Sequence, residues 1–320
     1  MKHLGYRTLQ DNWTIYNEFY QNFRVNIKDV ASSLRIDRHT ASKRIRDVLE
    51  SGIVTAPQLR KHSYRNFREY MYLVHCDDPF EVYKKYKDDT NVVHHAVLGG
   101  FGNLWVIAKK EMDIKGEILA EGPRSDYHVA YSLTGSWDES TELMRERIDT
   151  CSLREYEPRT LVRSRWNEVL EWWDPDFEIL YRELKYDGRK AYTPIMKEHE
   201  ISSHKIDEFF TLLPHSCLVA VRFFPKGMSE YDPYLFLIET EYEDLVIEVF
   251  SQLPTSTFFV KVEDYLLVHA YVERSSMRED GIIWDVSQMK LHCLLEKMKK
   301  KGIVKSERHA IFECHWSKDI

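Results

Sequence analysis

Two apolar runs, Tyr70-Met71-Tyr72-Leu73-Val74 and Tyr234-Leu235-Phe236-Leu237-Ile238, stand 164 residues apart in a chain of 320. Each reads as a buried strand, and each follows a set of short amphipathic helices. Ile15 and Ile179 repeat the same offset. The chain therefore reads as two copies of one unit, which agrees with the two or more domains expected at this length.

The first copy opens with a helix over 11–23. Trp13, Tyr16, Phe19, Tyr20 and Phe23 recur there at three- and four-residue steps. A short helix over 26–34 follows. Asp37 then caps a third helix that runs to about Ser51, and Gly52 stops it before the extended Ile53-Val54-Thr55. Three helices, a tight turn between the last two and an extended exit describe a helix-turn-helix with a wing. Beyond it the period changes. Strands over 69–75, 92–98, 104–109 and 127–133, with helices over 78–87 and 113–121, give a βαββαβ order, the ferredoxin-like sandwich.

The expected class is α+β, with two winged helix-turn-helix domains alternating with two ferredoxin-like domains. The expected boundaries are 1–65 and 66–136 for the first unit and 174–228 and 229–320 for the second. A charged, largely helical bridge over 137–173 joins the units.

The formal net charge is −7, yet 11 Lys/Arg stand against 4 Asp/Glu between Arg24 and Arg68, a local excess of +7. Such an island suggests one dedicated anionic partner. The outward face of the third helix carries Arg38, His39, Thr40, Ser42, Lys43 and Arg46, side chains that reach phosphates and base edges in a major groove. Arg60 and Lys61, with Arg65 and Arg68, are assigned to phosphates from the wing and hinge. The second copy differs: 7 Lys/Arg against 9 Asp/Glu lie between Asp174 and Pro225. Its third helix shows His204, Lys205, Asp207, Glu208, Phe209 and Phe210, and carboxylates there repel phosphate. The second winged helix is expected to be a degenerate copy, kept for packing or dimerisation.

The run Leu34-Arg35-Ile36-Asp37-Arg38-His39-Thr40-Ala41-Ser42-Lys43-Arg44-Ile45, followed by Val48-Leu49 and Gly52-Ile53-Val54, resembles the helix-turn-helix of the Lrp/AsnC (feast/famine) regulators. Asp174, Asp176, Ile179-Leu180 and Leu184 resemble that family's opening helix. Gly99-Gly100-Phe101-Gly102-Asn103-Leu104 and Glu263-Asp264-Tyr265-Leu266-Leu267 resemble its turn before a strand of the sensing domain, the RAM type of ferredoxin-like fold. Two departures stand out. The usual member has one unit where this chain has two, and Ala41 stands where Val is common. The resemblance implies a cytoplasmic, homodimeric, sequence-specific DNA-binding transcription regulator, not an enzyme. It implies double-stranded DNA as partner and control by an amino acid or other small molecule. Gly99, Gly100, Phe101, Gly102, Asn103 and Asp264 are the residues to contact such an effector.

The remaining chemistry is set aside. Five scattered cysteines without a CxxC pair fit free thiols in a reducing compartment. No apolar run is long enough to cross a bilayer, and the first residues lack a secretory h-region. P-loop, GxSxG, HExxH and GxGxxG spacings are absent. His292, Cys293, His309, Cys314 and His315 point apart in pairs, so no metal or cofactor is expected. One enzyme reading is retained as the alternative. Siroheme decarboxylases share the winged-helix plus ferredoxin-like arrangement, and His62, Tyr64, Arg65 and Arg68 near the hinge are candidates to meet a tetrapyrrole carboxylate.

Overall fold

The computed structural model describes residues 6–274, 276–279 and 282–317. The first half begins with α1 (Tyr6–Gln21), α2 (Ile27–Leu34), α3 (Arg38–Glu50) and β1 (Gln58–Lys61). Asn26 caps α2 by accepting from Asp29 N, and Asp37 caps α3 by accepting from Thr40 N. Between them Arg35 takes the left-handed conformation that makes the turn tight (φ 55°). The half continues with β2 (Tyr70–His75), α4 (Pro79–Tyr86), β3 (Val92–Gly100), β4 (Leu104–Ala108), β5 (Glu117–Pro123) and β6 (His128–Val129). In the bridge, α5 (Trp137–Thr150) opens with a Ser136–Glu139 capping box, and 156–174 is extended or irregular.

The second half repeats the pattern as α6 (Pro175–Leu184), α7 (Tyr192–His199), α8 (Ser203–Ser216), β7 (Cys217–Ala220), β8 (Tyr231–Glu239), α9 (Glu243–Phe250), β9 (Phe258–Val262) and β10 (Tyr265–Glu273). It ends with β11 (Ser276–Glu279), β12 (Ile282–Asp285), α10 (Val286–Lys300) and β13 (Ser306–Ser317). The chain is thus a mixed α+β protein.

Two sequence expectations fail in the first half. Residues 113–121 are not a helix: Gly116 (φ +135°) and Gly122 (φ +147°) hold backbone conformations foreign to a helix, and β5 starts just after the first and includes the second. A Cβ on Gly116 would lie 2.6 Å from the His75 carbonyl oxygen, so β5 starts where the chain crosses β2 closely. The strand expected over 127–133 shrinks to the two residues of β6.

Nine strands form one antiparallel sheet in the order β5-β2-β4-β3-β13-β8-β10-β9-β6. Four strands of each half follow the same relative order, β5-β2-β4-β3 and β13-β8-β10-β9, and the first half adds β6 at the far edge beside β9. The halves join where Ala310 of β13 pairs with Gly100 of β3. β5 and β6 follow each other in the chain but sit at opposite ends of the sheet, and Arg124 between them bridges to Val262 of β9. The sheet therefore closes on itself as a barrel. Met71, Leu73, Leu98, Trp105, Leu235 and Leu267 pack its interior. Outside, α4 covers the first half with Tyr86 against Tyr72 and Val106, and α5, α9 and α10 cover the second.

The two three-helix units share a second, two-stranded sheet in which β1 pairs with β7, Leu59 opposite Val219. Leu59 is buried in the core of α6–α8, while Val221 and Phe223 are buried in the core of α1–α3. Each unit thus completes the core of the other.

Candidate functional site

The outer face of α3 presents Arg38, His39, Lys43 and Arg46, all exposed, with Thr40 and Ser42 half-buried beside them. The helix stands this way round because Ala41, Ile45 and Val48 are buried against α1 and α2. Asp37 both caps the helix and accepts from the Thr40 hydroxyl at 2.5 Å. Arg44, one position off this face, is ion-paired with Asp11 of α1 and fixes α3 to its support. Among the described residues Arg38, His39, Lys43 and Arg46 make no ion pair or hydrogen bond through their side chains. The face is therefore a free positive surface, with Asp47 and Glu50 at its C-terminal end.

The wing and hinge cations are placed differently from the expectation. Lys61 is ion-paired with Glu178 of α6, and its ammonium lies 4.4–4.8 Å from the ring centres of Phe67, Trp173 and Tyr181. It is a half-buried strut between the halves, its charge already committed to Glu178 and the three rings. Arg60 lies over the Tyr186 ring and donates to Gln58 Oε1 at 2.9 Å. Arg68 donates to the Trp166 carbonyl, while Arg65 remains exposed. His62 lies 3.3 Å from Asp126, and the Tyr64 hydroxyl donates to the His215 carbonyl. Asp126 also accepts from Ser63 N, Ser63 Oγ and Arg165 Nε, so this hinge is a buried structural junction. The residues picked for a tetrapyrrole carboxylate are mostly committed elsewhere.

On α8 the matching face has Lys205 tied to both Asp174 and Glu208. Asp207 is exposed there, and Phe209 is buried in the core of its own unit. It offers DNA no cation that is free.

The expected effector turn is a structural element. A Cβ on Gly100 (φ +152°) would lie 2.5 Å from the His309 carbonyl oxygen and 2.6 Å from Ala310 Cα, so this glycine lets β13 lie against β3. Phe101 N donates to the His309 carbonyl, and a Cβ on Gly102 would press on Leu119. The Asn103 amide ties both backbone groups of Cys76. Gly99 faces Glu313 and Ile311 of β13. Asp264 is exposed in the β9–β10 turn, and among the described residues no hydrogen bond or ion pair joins it to 99–103.

One cluster went unassigned in the sequence. His94, Trp105, Phe312, His269 and Tyr271 form a row of ring contacts on the barrel's inner face. Ring centres lie 5.0 Å apart for His94–Trp105, 5.6 Å for Trp105–Phe312 and 4.7 Å for Phe312–His269. His315 lies 6.2 Å from His94, and Arg222 donates to the Tyr271 hydroxyl at 2.9 Å. Burial, then the neighbouring cationic groups, push His94 and His269 down to about 3, so both rings are neutral near pH 7. Trp105 Nε1 and His269 Nε2 are buried without a hydrogen-bond partner among the described residues. The available signal was His94 and His269 at inward positions of otherwise apolar strands.

Among the described residues no set of three His, Cys, Asp or Glu side chains is placed to hold a metal ion, and no helix is long and apolar enough to cross a membrane. No family model matches the chain, and no curated protein matches it. The chain is similar to the crystal structure of the siroheme decarboxylase NirDL at 10% identity and a TM-score of 0.49, over 95% of this chain and 92% of that one. It is similar to the same enzyme in co-complex with an iron-uroporphyrin III analogue at 12% identity and a TM-score of 0.47, with the same coverage.

Proposed function

We propose that this chain binds duplex DNA through α3, as a sequence-selective regulator of the Lrp/AsnC type. The observation that carries the reading is the exposed row Arg38, His39, Lys43 and Arg46, free of internal partners on a capped helix whose other face is fully packed. A row of free guanidinium and ammonium groups suits phosphates and guanine edges. The paired Lys205 and the carboxylates of α8 leave one competent reader per chain, and a homodimer supplies two. The test is fluorescence-anisotropy binding of genomic and random duplexes across a salt series, with the chain and its Arg38→Ala/Lys43→Ala/Arg46→Ala variant. Tight, sequence-selective binding that weakens steeply with salt and is lost in the variant supports the reading. Binding no stronger than that of an acidic control protein overturns it.

A second reading, an acidic-tetrapyrrole enzyme or binder, is favoured by one observation. Among the described residues two buried nitrogens, Trp105 Nε1 and His269 Nε2, find no hydrogen-bond partner, beside neutral imidazoles and Arg222. Apolar rings, hydrogen-bonding nitrogens and a cation suit a flat, carboxylate-bearing ligand. A shift of the visible spectrum on adding siroheme, absent in His269→Ala, supports this second reading; an unchanged spectrum removes it.

A further inference from the structure

The outer surface of the second half carries a cavity of about 390 Å³ between the first turns of α10 and the sheet. Its floor is Tyr234 and Phe236 of β8 and Val272 of β10, and Leu291 and Leu295 of α10 form the facing wall. All five are at least nine-tenths buried. Met289 stands at the lip, 47% exposed, with a flexible thioether suited to an adaptable edge. This volume lies at the small end of the range for ligand sites, about 300–1,000 Å³, and matches a compound of one or two rings.

The floor is also a stacking platform. The Tyr234 and Phe236 rings are nearly parallel, 20° apart with centres at 5.9 Å. His309 of β13 adds a third ring, 5.7 Å from Phe236 and 6.1 Å from Tyr234.

The polar edge has a definite sense. The Tyr234 hydroxyl accepts from Gln288 Nε2, and its own hydrogen finds no acceptor among the described residues. His309 Nδ1 is bonded to the Glu307 carboxylate at 2.8 Å, which leaves Nε2 for another partner. That carboxylate also raises the His309 pKa, so the ring carries a proton more readily and Nε2 becomes a donor. Two acids, Asp232 and Asp285, act on the Tyr234 hydroxyl; Asp232 is paired with Arg274, Asp285 caps α10 through Gln288 N at 3.0 Å, and Glu307 is also paired with Lys299. Two donors thus face an apolar, ring-lined slot.

We infer that this cleft binds a small aromatic acid, its ring on Tyr234 and Phe236 and its carboxylate on the Tyr234 hydroxyl and His309. The site lies on the barrel's outer face, apart from α3 and from the histidine row inside, so it stands or falls independently of the DNA reading.

Isothermal titration of the full chain with 1-naphthoate and with the uncharged 1-naphthalenemethanol tests it. Saturable binding of one naphthoate per chain is expected. His309→Ala, at a half-exposed side chain, is expected to weaken naphthoate about tenfold and the alcohol less than about twofold, because only the acid loses a charge-assisted hydrogen bond. Met289→Trp, at the exposed lip, is expected to weaken both ligands by narrowing the slot. No saturable binding, equal effects of His309→Ala on the two ligands, or binding indifferent to both variants would overturn the assignment.

Discussion

Arg24 and Arg189 reach across the seam between the two helical units in opposite directions. Arg24 donates to the Gly188 carbonyl, and Arg189 donates to the carbonyls of Phe23 and Val25 at 2.7 and 2.9 Å. Each guanidinium also lies over rings of the other unit, Arg24 over Tyr192 and Phe210, Arg189 over Phe19. With β1 paired to β7, these reciprocal ties make α1–α3 and α6–α8 one body.

Arg189→Ala removes two charge-assisted hydrogen bonds and leaves two backbone carbonyls to find new partners. The expected loss is about 2 kcal/mol of unfolding free energy, read as a lower urea midpoint. A midpoint unchanged within error would show that the seam does not depend on this clamp.

The asymmetry between the two helical units gives a matched pair of DNA-binding predictions. Arg46→Ala is expected to weaken duplex binding and to lower the salt slope by about 1 if its contact is to a phosphate. His204→Ala on α8 is expected to leave affinity and slope unchanged. Neither changes stability by more than about 0.5 kcal/mol, because both side chains are exposed. Anisotropy titrations at several salt concentrations compare them directly.

Neighbouring glycines at the joint of the two half-sheets separate backbone from side-chain crowding. Gly100→Ala drives a Cβ into the His309 carbonyl and Ala310 Cα at a φ of +152°, and is expected to cost about 2 kcal/mol or more. Gly99→Ala meets the Glu313 carboxylate at 2.8 Å, the far end of a flexible side chain, and is expected to cost well under half as much. Thermal melts of the two variants give the ratio.

Two buried histidines predict an acid-sensitive fold. His94 and His269 are held down to about 3, burial being the largest cause, whereas the unfolded chain titrates them near 6.5. Below that value the unfolded state binds protons that the fold refuses. Their contribution is therefore complete above about pH 6.5 and is lost as pH falls toward 3. Urea midpoints are expected to drop from pH 7 to pH 5, and His269→Leu is expected to flatten that slope. A slope identical in the variant would contradict the assignment.

The hinge carboxylate acts at lower pH. Burial opposes ionisation of Asp126, yet His62, the Ser63 amide and Arg165 outweigh it and hold the group well below the usual carboxylate range. Its stabilisation is present above the unfolded value near 3.9 and is lost as pH falls through the lower, folded one. Asp126→Asn leaves Arg165 without its buried counter-charge and is expected to cost about 3 kcal/mol at pH 7, measured by urea unfolding.

Local signals in the sequence were faithful where the physics is local. Asp37 caps α3 as its position before the helix predicts, and the helices whose starts the sequence places at Asn26 and Asp78 are capped by those residues. The α3 face also follows directly from helical spacing. Residues 113–121 misled because Ile114, Ile118 and Leu119 have helical spacing, while Gly116 within the segment and Gly122 just after it set the backbone. Lys61 misled for another reason: counting charge along the chain does not count partners, and Glu178 lies 117 residues away. The barrel closure, β3 against β13 and Arg124 against Val262, depends on pairings with no local signature at all.

That closure has a consequence for how the gene product can be divided. A half-barrel cut from the whole would display two raw strand edges, the recognised starting point for cross-chain strand pairing and precipitation. The duplicated halves are thus obligate companions: expressed separately, each is expected to be insoluble, and mixed during refolding they should restore one another.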